Sequence, residues 1–136
     1  MRTALVLLVA LASCTPLAPP EVVRDATPEE LIARVRAAAR EERWGDLYEH
    51  LGAKLQGQCP KLVFEMKFPS QKLPPPSGYR VADVVARAQI DGVLPNPKNP
   101  DEAVVCYSYR EQGGPQVHGS VLIVREHSSW RIDGFE

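Results

Sequence analysis

The spacing of apolar residues changes along this chain, and the change dictates its fold class. Leu31, Ile32, Val35, Ala38 and Ala39 recur at three- and four-residue intervals, with Arg34, Arg36, Arg40 and Glu41 mostly off that stripe, as in an amphipathic helix. From residue 103 the period is two. Ala103, Val105, Tyr107 and Tyr109 fall on one face of a strand, and Val104, Cys106 and Ser108 on the other. Gly113-Gly114-Pro115 turns the chain into a second strand over Val117 to Glu126, in which Val121 and Ile123 oppose Leu122 and Val124. His127-Ser128-Ser129 turns it again, into a last strand where Trp130 and Ile132 share a face. Short loops between consecutive strands predict antiparallel neighbours. Helices followed by strands predict an α+β domain, its N-terminal helices packed on one face of an antiparallel sheet.

The helical half carries clear start signals. Thr27-Pro28-Glu29-Glu30 supplies an N-cap, a proline suited to the first helical position and a capping-box glutamate. Asp46 and Glu49 suggest a second helix whose buried stripe is Leu47, Tyr48, Leu51 and Leu55, weakened at Gly52 and ended near Gly57. Two stretches read both ways. Alternation of Leu62, Phe64, Met66 and Phe68 favours a strand, and a short helix starting at Pro60 competes with it. Ala82, Val84, Ala86, Ala88 and Ile90 alternate as a strand would, whereas Val81, Val84, Val85 and Ala88 fit a helix; the β-rich continuation favours strand. Prolines at 95, 97 and 100, among Asn96 and Asn99, mark a loop.

Residues 1–13 stand apart from this fold. Arg2 precedes an eight-residue apolar run, Ala4 to Leu11, too short to span a bilayer, and small residues lead to a cysteine. Leu11-Ala12-Ser13-Cys14 resembles the lipobox of bacterial lipoproteins. That resemblance implies a signal peptide over 1–13, lipid (palmitate among the acyl chains) on Cys14, and a cell-envelope location with the membrane as partner. Thr15, rather than Asp, after the cysteine favours the outer membrane by the same resemblance. Several acyl chains anchor a protein stably where one does not. Pro16, Pro19 and Pro20 make residues 14–26 an extended tether, leaving 27–136 as one domain.

A net charge of −1 without a Lys/Arg block argues against a nucleic-acid partner. With Cys14 lipidated, Cys59 and Cys106 remain. An oxidising compartment admits a disulfide between them, and two buried thiols fit equally. They make a poor zinc site, and His50, His118 and His127 lie far apart and read as surface residues; neither a metal nor a cofactor is implied.

The order of elements resembles the nuclear transport factor 2-like (cystatin-like) α+β cone over roughly residues 27–135. Two places carry the likeness. Arg43-Trp44-Gly45-Asp46-Leu47-Tyr48 is similar to the Gly-Asp turn between that family's first helices, and Arg125 to Asp133, with Trp130-Arg131-Ile132, is similar to its closing hairpin. The resemblance implies a curved sheet wrapping the helices around a pocket, with Tyr107, Tyr109 and Trp130 as candidate pocket residues. An enzyme of this shape needs a carboxylate and a tyrosine facing inward, and Asp83, Asp91, Tyr107, Tyr109 and His118 are the candidates. Aromatic residues at strand spacing are more often core, and the chain lacks a nucleophile elbow and a phosphate loop. The expected function is therefore a non-catalytic, membrane-anchored domain binding a small apolar ligand or an envelope protein. The alternative is a cone-pocket isomerase or dehydratase using buried Asp and Tyr. Growth with radiolabelled fatty acid is expected to label the native chain and leave Cys14→Ala unlabelled.

Overall fold

The computed structural model describes residues 25–135. Cys14, the signal segment and nearly all of the tether lie outside the described residues. Helix α1 (Pro28–Arg40) begins as its sequence predicts: Thr27 Oγ1 accepts the Glu30 N–H at 3.2 Å, and the Glu30 carboxylate accepts the Ala26 N–H at 3.0 Å. Its stripe of Leu31, Val35, Ala38 and Ala39 is buried.

The second helix is split in two, α2 (Trp44–Glu49) and α3 (Ala53–Gln58). The cause is a long-range contact. The backbone between them pairs with the last strand: the Ile132 N–H donates to His50 O at 2.9 Å, and the Gly52 N–H donates to Ile132 O at 2.7 Å. Gly52 suits this close approach, because a Cβ would lie 2.9 Å from the end of the Glu126 side chain and 3.2 Å from Ile132 O. Glu126 in turn accepts the Ala53 N–H at 3.3 Å, so a carboxylate sits at the start of α3.

Residues 61–67 form helix α4 (Lys61–Lys67) after Pro60, not a strand. Phe64 turns inward, stacked on Phe68 at 4.8 Å and tilted against Tyr48 at 5.4 Å, while Leu62 and Met66 stay exposed. The segment expected as a strand after Tyr79 begins instead as helix α5 (Val81–Arg87). Its alternation is real but comes from two buried faces. Ala82 and Ala86 join the core formed with Leu31 and Val35, and Val81, Val84 and Val85 face inward beneath it.

Four strands follow in the order β1-β2-β3-β4: β1 (Gln89–Asn96), β2 (Asn99–Tyr109), β3 (Val117–Glu126) and β4 (Ser129–Phe135), all antiparallel. The proline-rich stretch is a hairpin tip rather than an open loop, closed by Asn96 opposite Asn99. β1 is an edge strand, the place in a sheet where a proline such as Pro95 is tolerated. The β3–β4 turn takes left-handed backbone at His127 and Ser128, φ 50° and 67°, the twist that two-residue hairpins need. The register sets Val105 against Val121 and Ile123 against Ile132, so these side chains share the face turned toward the helices.

The folded body also takes in Asp25 and Ala26, two residues more than the tether boundary at 26 allowed. Asp25 is buried, and its Oδ2 lies 2.7 Å from Nδ1 of the buried His50 while its Oδ1 lies 3.2 Å from Arg34 Nη1. Its backbone is held as well: Asp25 N–H donates to Ser129 Oγ at 3.0 Å, and Asp25 O accepts the Trp130 N–H at 2.8 Å. Such a cluster costs much when one partner is removed, because the others remain in low dielectric. Asp25→Ala is expected to lower stability by about 3 kcal/mol, read from the urea midpoint. A loss below about 0.5 kcal/mol would mean that the cluster does not hold the N-terminus of the domain.

Candidate functional site: an apolar cavity between helices and sheet

The helices close down on the sheet only in part. Between them lies a cavity of 820 Å³. Its roof is Leu31, Ile32 and Val35 of α1; one wall is Val81, Val84 and Val85 of α5; its floor is Val105, Val121, Ile123 and Ile132 of the sheet. Each group follows from a sequence period: the three-four stripe of α1, the inner face of α5, and every second residue of β2 to β4. The rim is built from the Pro74–Ser77 segment, Gln116, His118 and Phe135. The segment is pinned at its base, where Leu73 N–H donates to Tyr79 O at 2.7 Å and Val81 N–H to Gln71 O at 2.9 Å. Its size falls within the range of about 300–1,000 Å³ typical of ligand sites.

Few lining residues are polar, and none is Asp or Glu. Arg36 enters from α1 and donates from Nη1 to Ala88 O at the end of α5. Burial, and secondarily the neighbouring Arg40, lower its pKa from the ordinary guanidinium value. Tyr107 also lines the cavity, and burial raises its phenol pKa, keeping it a neutral donor. Its ring lies across Gly119 on the neighbouring strand, where a Cβ would come 2.3 Å from the hydroxyl. His118 stands exposed at the rim, and Cys59 is half-buried in the lining.

The residues expected to assemble an acid–tyrosine site are dispersed. Asp83 lies 3.6 Å from Arg87 and 3.9 Å from Arg80, in a shallow polar groove outside the cavity. Asp91 accepts from Ser108 Oγ at 3.2 Å and Gln89 Nε2 at 3.0 Å. Of the three candidate pocket residues, Tyr107 alone lines the cavity. Tyr109 borders the polar groove, where it donates to Glu111 at 2.9 Å and packs edge-on against Tyr79. Trp130 is buried in the core, with the Arg125 guanidinium 5.8 Å from its ring.

His50, expected at the surface, is buried against Asp25, whereas His127 is an exposed turn residue. Cys59 and Cys106 are free thiols rather than a disulfide. The reason is geometric: Cys59 faces the cavity, and Cys106 lies between two cavity-lining residues, Val105 and Tyr107, so it points to the opposite side of the sheet. Among the described residues no group of three or more His, Cys, Asp and Glu could hold a metal ion, and no helix is long and apolar enough to cross a membrane.

Arg36 was the site residue that periodicity passed over, because it stands off the α1 stripe. A signal was present: neither Arg36 nor Arg40 has an acidic residue three or four positions away. No family model and no curated protein matches this chain. Alkylation of unfolded, unreduced protein followed by peptide mass spectrometry is expected to find Cys59 and Cys106 both modified. A Cys59–Cys106 crosslinked peptide would contradict the free-thiol geometry.

Proposed function

We propose that this chain is a membrane-anchored lipoprotein whose nuclear transport factor 2-like domain binds a small apolar ligand without catalysing its conversion. The observation that carries the reading is the 820 Å³ cavity with an apolar lining that includes no carboxylate. Interiors normally pack to crystal-like density, so space of this size on the inner face of a sheet favours a bound molecule as its occupant. The helices-then-sheet order and the four-stranded antiparallel meander support the cone resemblance. The dispersal of Asp83, Asp91 and Tyr109 away from Tyr107 weighs against the isomerase or dehydratase alternative, which needs an acid and a tyrosine in one pocket.

The anchor complements the cavity. Ten residues, 15–24, separate Cys14 from the buried Asp25, and that length reaches about 36 Å at full extension. An acylated Cys14 would hold the cavity close to a lipid surface, the natural reservoir of apolar ligands. Bacterial envelope location, with the outer membrane favoured by Thr15, belongs to the same reading.

Nile red, an uncharged dye that brightens in apolar surroundings, is expected to light up on binding the native chain. Val121→Trp places an indole in the cavity floor and is expected to lower dye affinity about tenfold while the circular dichroism spectrum stays native. Undiminished binding by a folded Val121→Trp chain would take the ligand out of the cavity.

A further inference from the structure

The cavity is apolar, but its charge is one-sided. Arg36 is the cation in the lining, and no Asp or Glu accompanies it. Among the described residues Arg36 makes one hydrogen bond, to Ala88 O, and no ion pair. A guanidinium carries five N–H donors, so most of its capacity remains open. Ala88 leads into β1, where Ile90 is the register partner of Tyr107, so the guanidinium contact and the neutral phenol belong to the same end of the sheet. The bond to Ala88 O suits a cation at a helix C-terminus, yet Arg40 already serves that end through Ala86 O at 3.0 Å.

Ligand entry changes the surroundings of this charge. A neutral apolar ligand would strip water from the guanidinium and return nothing. A cationic amphiphile would be repelled. A carboxylate would restore a charge-assisted pair with this part-buried guanidinium at the edge of the apolar lining. Resting on the cavity reading above, we infer that the ligand is a long-chain carboxylate, its chain along Val85, Val105, Val121 and Ile123 and its head on Arg36.

The test displaces Nile red from the full chain with three twelve-carbon probes: dodecanoate, 1-dodecanol and dodecyltrimethylammonium. Dodecanoate is expected to displace the dye at least about tenfold more tightly than the alcohol, with the ammonium weakest. Arg36→Gln is expected to abolish the preference for acid over alcohol and leave dodecanol affinity within about twofold, whereas Arg36→Lys retains the preference. Equal affinity for acid and alcohol in the native chain would overturn the headgroup assignment and leave the cavity reading intact. So would a preference lost in His118→Gln but kept in Arg36→Gln, which would move the head to the rim. Failure of the dye and all three probes to bind would overturn both readings. The native-chain comparison decides the question even if Arg36→Gln does not fold.

Discussion

Ile132 spends both of its backbone groups outside the sheet. In an antiparallel pair a residue's N–H and C=O point to the same side, and opposite Ile123 those of Ile132 point away from β3. They meet His50 O and the Gly52 N–H instead, joining the α2–α3 junction to the free edge of β4. This clasp does three things at once. It covers an edge that would otherwise invite pairing with another chain. It breaks what would be one long helix, and the separate α3 starts beside the Glu126 carboxylate and contributes Leu55 and Gln58 to the cavity lining. It also ties the helical layer to the sheet, where Leu31 and Val35 of α1 share one buried core with Ile123 of β3 and Ile132 of β4. Asp25 reinforces the same seam, since it binds both His50 beside the clasp and Ser129 and Trp130 at the start of β4.

The elements that were readable from sequence are those whose stabilising contacts are local or strictly periodic. The α1 cap lies within five residues of chain, and β2, β3 and β4 each alternate against neighbours joined by short turns. The misread elements depend on contacts that local spacing cannot carry. The break at residues 50–52 comes from a strand eighty residues on. α5 is buried on two sides, by the core through Ala82 and Ala86 and by the cavity wall through Val81 and Val85, so almost every position is apolar and both periods fit. In α4 the apparent alternation includes Leu62 and Met66, which stay in solvent, so hydrophobicity there did not report burial. The site was legible in part for the same reasons. Tyr107 followed from strand parity, whereas His50 became buried only because Asp25, twenty-five residues earlier, supplies a partner.

A void beneath a small domain's helices is not what packing alone would select. Side chains facing empty or poorly filled space lose dispersion contacts on one side, and cavities of even modest size weaken a fold. This chain compensates through a core that itself borders the cavity. The core formed by Leu31, Ala38, Leu47, Tyr48 and Trp130 is tightly buried, and Phe64, Phe68 and Trp44 brace the helices with ring contacts of 4.8 to 5.5 Å. Small residues, Ala38 and Ala39 on α1 and Ala82 and Ala86 on α5, join this core and let the helices approach closely. Leu31, Val35, Val105, Ile123 and Ile132 belong to that core and also border the cavity, so one set of side chains both holds the fold and shapes the site.

The polar residues divide between inside and outside. Both carboxylates expected to do chemistry sit outside the cavity with partners of their own: Asp83 beside Arg87, and Asp91 accepting from Ser108. Moving either one inward would place an anion in the apolar cavity, where it would either seek Arg36 or take up a proton. With Arg36 inside and the carboxylates outside, the cavity has a place for negative charge that the protein itself does not fill. A lining built only for solubility would carry both signs, and a lining built only for apolar matter would carry neither. A single cation bordering valine and leucine side chains is the pattern that a chain with one anionic end would complement, and it makes the identity of the head, rather than the length of the chain, the feature by which such a site would select.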